Sequence, residues 1–397
     1  MTTSKSPRRV FRVAYEAARR ALPAHRHKFS PKKFTQPQLM ACLVLKEFLR
    51  TDYRGLAAHL ADHPDLARLI DLKAVPHFTT FQKAARRLLM AAPARAMFDA
   101  VLDRALRDEV RKRRVPLAAV DGTGMESRHV SRYYVKRRSG IGTGAQETTY
   151  AKYPKVVLVT DCRSHMVLAA VPGRGPGSDL VQFKAALRQA AGRARIGTLL
   201  ADADYDAEWV HEHVRGEYGI RTLVPPTRGR PSEKPPAGRW RRWMRAALRR
   251  FKAKYGQRWQ AEAVNSMIKR RLGSALRARG YWSQCREIIL RVITHNVMIV
   301  IRIRVFYRAS WTRFPKRRAS PSISRQSWWR KPVSGWARSA PGSRSPRATL
   351  VPPTGCAASS RLSTRLSAAW RFITSPTTGS GPSTGKSSAC SIPGARS

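Results

Sequence analysis

The sequence predicts an α/β domain with a mixed β-sheet, preceded by a small helical region and followed by a polar tail. Three observations lead to this prediction. Apolar residues recur at helical spacing over residues 35–110, strand-like and helix-like segments alternate from residue 111, and no acidic residue follows Glu287. We therefore expect four segments: a basic stretch over residues 1–34, a helical region over 35–110, an α/β domain over 111–307, and a disordered basic tail over 308–397.

The charge of the chain indicates a polyanionic partner. Among 397 residues, 77 are Lys or Arg and 24 are Asp or Glu, which gives a formal net charge of +53. An excess of this size is typical of proteins that bind nucleic acid, and it predicts binding that weakens steeply as salt is added. Residues 308–397 contain 16 basic residues and no acidic one, so most of the charge belongs to the preceding part of the chain.

Cysteine spacing and hydropathy argue against several classes of protein. The five cysteines are scattered without a CxxC pair, which argues against a zinc site or a disulfide framework and favours a reducing cytosol. No segment reaches the roughly 18 uninterrupted apolar residues of a membrane span. The nearest, residues 288–306, carries three arginines and a histidine and is predicted to be a buried helix. The N-terminus lacks a signal-peptide core and resembles either a transit peptide or a basic segment that contacts nucleic acid.

The helical region is predicted to contain several short helices, one of which faces DNA. Thr35 and Pro37 mark the start of a helix over residues 36–49, while Pro64 and Pro76 interrupt the segments that follow. This pattern is of the helix-turn-helix kind. The helix from about Thr79 to Met90 would offer DNA the side chains of Gln82, Lys83, Arg86 and Arg87. The alternative is a plain helical bundle with a charged outer face.

Residues from Val115 onward alternate between strands and helices. The predicted strands are PLAAVDG, two strands around a polar turn within residues 155–173, and residues 196–202 and 220–225. Predicted helices occupy residues 179–193 and 207–218, and another begins near residue 255 after a basic connection. The order is three strands, helix, strand, helix, strand, helix. This is the order of a mixed α/β sheet, and it matches the ribonuclease H-like arrangement.

Three acids are candidate catalytic and metal-binding residues. Asp121 is predicted to end the first strand, Asp202 to end the fourth, and Glu262 to lie on the helix after the fifth. Acids at strand ends and on a flanking helix can converge at one edge of a sheet. Such carboxylates suit Mg²⁺ or Mn²⁺, and two such ions can assist attack at a phosphodiester and stabilise the leaving oxygen. Without metal, neighbouring carboxylates raise one another's pKa.

Each acid also has a simpler interpretation. Asp121-Gly122 is a common turn pair, and Asp204 and Asp206 compete with Asp202, although only Asp202 directly follows the apolar run. Glu262 could be a solvated partner of a base four residues away, an interaction that contributes only ~0.3–0.5 kcal/mol.

The stretch YGQRWQAEAVNSMIK, residues 255–269, argues for more than a surface salt bridge. On one helix its candidate residues would project within about 60° of one another, and the apolar residues would face the sheet. The aligned residues are Tyr255, Arg258, Glu262 and Lys269, and the apolar ones are Ala261, Val264, Ile268 and Leu272. A salt bridge explains Arg258 beside Glu262 but not the tyrosine and the lysine on the same line.

The spacing Y(2)R(3)E(6)K, with AVDGTG and LLADADYD upstream and KRRLGSALRAR and THN downstream, resembles the bacterial insertion-sequence DDE transposases. The resemblance covers roughly residues 35–305. It implies that Asp121, Asp202 and Glu262 hold the metal ions that nick the ends of the element, after which the freed 3′-hydroxyl attacks target DNA. It further implies that Arg258 and Lys269 contact DNA phosphates.

The same resemblance implies that Tyr255 positions DNA. It also implies three partners, namely double-stranded DNA with terminal inverted repeats, target DNA, and a second copy of the chain. It also implies a cytoplasmic, nucleoid-associated bacterial protein without a membrane partner. One departure is Asp204, where the family commonly has glycine. An aspartate there requires a backbone conformation that residues other than glycine can adopt, and its carboxylate could perturb metal binding.

Two alternatives to this function stay open, and one hypothesis concerns the tail. The chain could be a catalytically decayed DNA-binding protein, or a metal-dependent nuclease of the same fold. The tail, whose composition resembles GC-rich DNA read in a different frame, favours decay, whereas the intact acids favour the enzyme.

Overall fold

The computed structural model describes residues 4–29, 31–127, 134–139, 146–226 and 236–311. The predicted tail lies outside the described residues from position 312 on, and so does the basic connection over 227–235. The predictions about these segments therefore stay predictions.

Six helices form the N-terminal part of the fold. They are α1 (Pro7–Ala21), α2 (Gln36–Phe48), α3 (Tyr53–Asp62), α4 (Pro64–Arg68), α5 (Phe78–Leu88) and α6 (Ala91–Arg107). Helix α1 falls within the stretch that was expected only to be basic. It buries Val10, Phe11 and Ala14 completely and packs against α2 and α6, with its arginines on the opposite face.

The predicted start of α2 is confirmed in detail. The Thr35 hydroxyl accepts a hydrogen bond from the backbone N–H of Gln38, and the Gln38 side chain accepts one from the backbone N–H of Thr35. This reciprocal pair satisfies two N–H groups that a helix start leaves without partners. Pro64 opens α4 and Pro76 precedes α5, so the predicted interruptions are also present.

Within the described residues, nine strands follow these helices or alternate with the later ones. They are β1 (Arg114–Gly124), β2 (Glu126–Ser127), β3 (Tyr134–Ser139), β4 (Gln146–Ala151), β5 (Tyr153–Asp161), β6 (Val167–Gly175), β7 (Arg195–Leu200), β8 (Arg221–Leu223) and β9 (Ala275–Leu276). Five of them form the main sheet, in the order β6-β5-β1-β7-β8. Strand β5 is antiparallel to β1 and β6, while β7 is parallel to β1 and β8. The predicted mixed α/β sheet is confirmed.

The described part of the chain has six further α-helices, several of which pack against this sheet. They are α7 (Leu180–Arg193), α8 (Glu208–Glu212), α9 (Arg239–Ala247), α10 (Lys252–Gly256), α11 (Trp259–Leu272) and α12 (Tyr281–Trp311). The helix predicted over 207–218 is only partly regular, because α8 changes into a π-helical turn over His213–Glu217. The antiparallel ribbon of β3 and β4 and the short parallel pair of β2 and β9 were not predicted.

The N-terminal helices and the sheet share a hydrophobic core. Fully buried members from both parts include Phe11, Leu43, Val120, Phe183 and Ile293. Helix α12 contributes to this core along residues 288–301, as its sequence predicted. In the part of the chain that the structure describes, no helix is long and apolar enough to span a membrane.

Polar residues of α12 have defined partners in this core. Asn296 accepts a hydrogen bond from the backbone N–H of Val167 and donates one to its carbonyl, both at 2.9 Å, so its amide continues the pairing pattern at the start of β6. His295 Nε2 lies 3.0 Å from the carbonyl of His165. These bonds explain why a helix with amide and imidazole groups can be buried without a large free-energy cost.

Candidate active site

Asp121 and Asp202 lie at matching positions beyond the paired part of two parallel strands. Ala119 of β1 pairs with Leu200 of β7 as the last pair of that ladder, and each acid follows two residues later. Parallel neighbours in register project equivalent residues to the same end and face of a sheet. The two aspartates therefore lie side by side just past the end of this parallel ladder.

The prediction that Asp121 ends its strand is wrong. Strand β1 continues to Gly124, because Gly122, Thr123 and Gly124 go on pairing with β5 after the β7 ladder has stopped. The turn preference of Asp-Gly is overridden by this antiparallel partner. Asp121 itself is opposite Leu158 of β5, so its backbone is fixed within a ladder rather than in a loop.

The carboxyl group of Asp121 is partly buried, and this burial changes its pKa. Burial raises its pKa to about 6, the positive charge of Arg258 opposes the rise, and the negative charges of Asp202 and Glu262 add to it. Its Oδ2 accepts a hydrogen bond of 2.8 Å from Nδ2 of Asn265 on α11. A bound cation would relieve both the burial cost and the like-charge repulsion.

The loop after β7 holds Asp202 at the start of a short 3₁₀ helix, Ala203–Tyr205. Oδ1 of Asp202 accepts a hydrogen bond of 3.0 Å from the backbone N–H of Asp204, as an N-cap does. Burial and then the adjacent Asp204 carboxylate raise the pKa of Asp202. Asp204 does not have a positive φ in the described chain, so the absence of glycine there causes no backbone strain.

The remaining acids of this loop have structural roles that the sequence analysis left unresolved. Asp206 is fully buried at its side chain and receives two hydrogen bonds from Arg241 of α9, at 3.0 and 2.8 Å. The Glu208 carboxylate accepts the backbone N–H groups of Trp240 and Arg241, which are the exposed donors at the start of α9. The loop that carries Asp202 therefore also anchors a basic helix beside the site.

Glu262 lies in the first turn of α11 and is open to solvent. Its side chain is 55 % exposed, and its Oε1 accepts a hydrogen bond from Nη2 of Arg258, the ion pair that the simpler interpretation required. The predicted buried face of α11 is confirmed, because Ala261, Val264 and Ile268 are almost completely buried. In this structure Glu262 therefore pairs with a base through one of its two carboxylate oxygens.

The single helix expected for YGQRWQAEAVNSMIK is interrupted. Tyr255 belongs to α10, which ends at Gly256, and α11 begins only at Trp259. Glycine at a helix end is favoured since it weakens the continuation of the helix. Tyr255 still lies beside the site: burial raises its pKa, and the charges of Arg258, Asp202 and Glu262 all act on its hydroxyl.

Arg258 is the positive charge around which the predicted acids are grouped. Burial alone would lower the pKa of its guanidinium, but the surrounding acidic groups raise it. Those groups are Tyr255, Glu262, Asp121 and Asp202. The structure thus brings all three predicted acids within electrostatic reach of the Arg258 guanidinium.

Asn265 is a member of the site that the sequence analysis did not identify. It is 8 % exposed, it holds Asp121 as described, and its Oδ1 is buried without a hydrogen-bond partner. An orphaned amide oxygen beside a carboxylate is a suitable additional donor for a hard cation. Its position three residues after Glu262, on a neighbouring helix turn, was the signal available in the sequence.

The ligand atoms of the site are of the type that Mg²⁺ or Mn²⁺ binds, although they do not converge on a single position in this structure. The carboxylates and the amide oxygen are hard oxygen ligands, which these ions prefer. Among the described residues, no group of three His, Cys, Asp or Glu side chains is close enough to hold a metal ion. To bind the ion, Glu262 would have to give up its ion pair with Arg258.

Lys269, the last residue of the predicted stripe, lines a basic groove that we define by two adjoining cavities of about 330 and 490 Å³. The cavities share Lys46, Glu47 and Arg277. The groove runs from the C-terminal part of α11 to α5, where Gln82 and Arg86 line it. Within the described chain, six cations that line the groove form no ion pair: Arg50, Arg86, Lys269, Arg277, Arg279 and Arg286.

The other predicted DNA-contacting residues of α5 differ in exposure. Gln82, Lys83 and Arg86 are exposed, whereas Arg87 is half-buried and its Nε has no hydrogen-bond partner. The structure contains no nucleic acid, so their contacts with DNA stay a prediction.

Comparison with known proteins gives one family match, over residues that include the site. Residues 114–297 match the family model described as "Transposase DDE domain". This stretch begins with β1 and ends within α12, so it contains Asp121, Asp202 and Glu262. Over these residues the chain is similar to the transposase DDE domain, which confirms the resemblance to insertion-sequence DDE transposases and supports transposase activity. Comparison with the curated proteins gave no match.

Proposed function

We propose that this protein is a metal-dependent DDE transposase that cleaves DNA at the ends of an insertion sequence and joins the freed ends to target DNA. The observation that supports it best is the position of Asp121 and Asp202, each two residues past the last pair of the β1–β7 ladder, with Arg258 acting on both and Glu262 acting on Asp121. An acidic cluster in a protein of net charge +53 is unexpected unless a cation is held there against a polyanion.

The proposed ligands are Asp121, Asp202 and Glu262, which would hold one or two Mg²⁺ or Mn²⁺ ions. When bound, these ions would supply the Lewis-acid activation of the attacking oxygen and the neutralisation of the leaving oxygen. Asn265 orients Asp121 through its hydrogen bond, and Asp204 fixes one oxygen of Asp202. Arg258, once separated from Glu262, is free to bind a phosphate of the DNA substrate.

The proposed DNA path uses the basic groove. Lys269 and the unpaired arginines of the groove provide fixed positive charge between the active-site helix α11 and helix α5. Point charges along a groove bind the phosphate backbone without reading sequence, whereas an exposed helix face can contact base edges. We therefore assign backbone contacts to Lys269 and Arg258, and base contacts to Gln82, Lys83 and Arg86, with Arg87 and Tyr255 in supporting positions.

The fold supports the ribonuclease H-like assignment. Its five-stranded sheet has the first strand at the centre and reverses only β5 relative to the others, with the acids at one end. Terminal inverted repeats as substrate, target DNA as acceptor, and a second copy of this chain as partner belong to the same proposal.

One observation favours an alternative, a decayed DNA-binding protein. The three carboxylates do not close around a metal position, and Asp204 adds negative charge beside Asp202. Such a protein would keep the basic groove and lose cleavage. A nuclease without strand transfer would cleave and leave no joined products.

The deciding experiment incubates the purified chain with Mg²⁺ and duplex DNA that carries the repeats bracketing the gene. The proposal predicts nicked and joined products for the parent protein, and a loss of at least about a thousandfold in cleavage for Asp121→Asn and Glu262→Gln with DNA binding retained. Asp103→Asn, an exposed acid on α6, is the matched control. If Asp121→Asn and Glu262→Gln cleave as fast as this control, the proposed function is wrong; if the parent binds but never cleaves, the decayed alternative holds.

A further inference from the structure

We propose that Asp179 is a positioning residue of the active site, a fourth carboxylate that fixes the backbone beside Asp121 and adds to the negative charge that attracts the cation. This inference rests on the proposed function and assigns a role to a residue outside the signature motifs. Three independent features of Asp179 lead to it.

The first feature is the direction of the Asp179 side chain. Asp179 occupies the N-cap position of α7, where an aspartate usually accepts a hydrogen bond from the first turn, yet its side chain makes no such bond. Instead, Oδ1 accepts a hydrogen bond of 2.7 Å from Nζ of Lys155 on β5. The Lys155 ammonium is nearly buried and is also held by the carbonyl of Gly177 at 2.8 Å. The Asp179 carboxylate is thus fixed against the sheet rather than used for its own helix.

The second feature is the close approach of Asp179 to Gly122, the residue directly after Asp121. A Cβ atom placed on Gly122 would lie 1.8 Å from Oδ2 and 2.4 Å from Cγ of Asp179. The φ angle of Gly122 is not positive, so glycine is required here for space rather than for an unusual backbone conformation. The Asp179 carboxylate therefore packs directly on the β1 backbone next to Asp121.

The third feature is the shared effect of the acids on a buried tyrosine. The Tyr205 side chain is 1 % exposed, and its hydroxyl has no hydrogen-bond partner among the residues that the structure describes. Burial and then Asp179, followed by the other carboxylates of the site, raise the pKa of this hydroxyl. Those carboxylates are Asp202, Asp121 and Asp204. Asp179 therefore belongs to the same group of charges as the candidate ligands.

These features define what Asp179 does. Packing against Gly122 limits the movement of the strand segment that carries Asp121, so the ligand stays where the cation needs it. The negative charge of Asp179 adds to that of Asp202, while Lys155 holds the carboxylate in place. Asp179 is not assigned as a ligand, because its side chain already has a protein partner and a steric role.

The test measures Mn²⁺ binding without DNA, by electron paramagnetic resonance of the free ion. Asp179→Asn, which keeps the shape and the oxygen facing Lys155, is expected to weaken Mn²⁺ affinity by about tenfold. Asp121→Asn is expected to abolish tight binding, and Asp103→Asn to leave it unchanged. Unchanged affinity in Asp179→Asn together with lost affinity in Asp121→Asn overturns this inference alone; unchanged affinity in both overturns the proposed metal site.

A second measurement isolates the contact with Gly122 and serves also if Asp179→Asn fails to fold. Gly122→Ala is expected to weaken Mn²⁺ affinity at least about tenfold, because its methyl group meets the Asp179 carboxylate. In an Asp179→Gly background the methyl group has room, so Gly122→Ala should cause little further loss. Equal losses from Gly122→Ala in both backgrounds would show that the contact does not position Asp121.

Discussion

Asn265 of α11 donates a hydrogen bond of 2.8 Å to Oδ2 of Asp121 on β1, and so joins the two elements that carry the first and third acids of the site. The bond is partly buried and connects residues 144 positions apart. A buried hydrogen bond to a charged group contributes more than one between neutral groups, so this contact is expected to affect both stability and metal binding.

Replacing Asn265 by Ala is expected to lower the free energy of unfolding by about 1–3 kcal/mol, since a buried carboxylate loses its donor. Urea denaturation followed by circular dichroism measures this change. Ser266→Ala, at the next position of α11, is the control and should change the free energy by less than about 0.5 kcal/mol. Equal stability of the two variants would show that the hydrogen bond contributes little.

The raised pKa of Asp121 predicts a specific pH dependence. Its folded-state pKa of about 6 exceeds the ordinary value of 3.8, so the native state binds the proton more tightly than the unfolded state. In metal-free protein the contribution of Asp121 to stability is therefore fully present below pH 4 and is lost as pH rises toward 6. Urea midpoints measured without metal from pH 4 to 7 should fall in the parent more than in Asp121→Asn.

The same proton competes with the cation. Mn²⁺ affinity of the parent should decrease as pH falls below about 6, because the carboxyl group must be ionised to act as a ligand. Titrations at pH 5, 6, 7 and 8 would detect this change. An affinity that is constant over that range would mean that Asp121 is not a ligand.

The buried pair of Asp206 and Arg241 predicts a large effect from a residue outside the motifs. Arg241→Ala leaves the fully buried Asp206 carboxylate without its guanidinium, a change that typically costs about 3–5 kcal/mol. Arg242→Ala on the same helix removes an equal charge, but the Arg242 side chain donates only to the exposed carbonyl of Gly238. Thermal unfolding should therefore distinguish the two variants, and similar midpoints would argue against an anchoring role for Arg241.

The basic groove predicts a measurable change in the salt dependence of DNA binding. Lys269→Gln should weaken binding to any duplex and reduce the slope of log K against log salt by about one, as the loss of one phosphate contact does. Arg188→Gln on α7, which lines a different cavity, is the charge-matched control. An identical slope in both variants would mean that total charge, rather than the groove, determines binding.

Much of the local structure could be predicted because it depends on neighbouring residues. The Thr35 cap of α2, the turn between β5 and β6, and the buried face of α11 follow from turn chemistry and apolar period, and the structure confirms each of them. The break after Gly256 was missed, since the periodicity of residues 255–269 is compatible with one helix.

The members of the site that were missed make contacts between segments far apart in the chain. Asn265 and Asp179 lie in ordinary helical positions, and nothing in their local sequence shows that one holds Asp121 and the other packs against Gly122. The continuation of β1 to Gly124 likewise depends on β5, whose pairing outweighs the local turn preference.

The sequence by itself determined the mixed α/β class, the positive charge, and the identity of Asp121, Asp202 and Glu262 as candidate acids. These features are encoded in composition, short-range periodicity and motif spacing, which do not depend on the tertiary structure. Only the tertiary structure decided that the Asp202 loop anchors α9, that Arg258 stands among the acids, and that Lys155 and Gly122 hold Asp179 beside Asp121. Such relations depend on strand register and helix docking, which bring together residues that are distant in sequence.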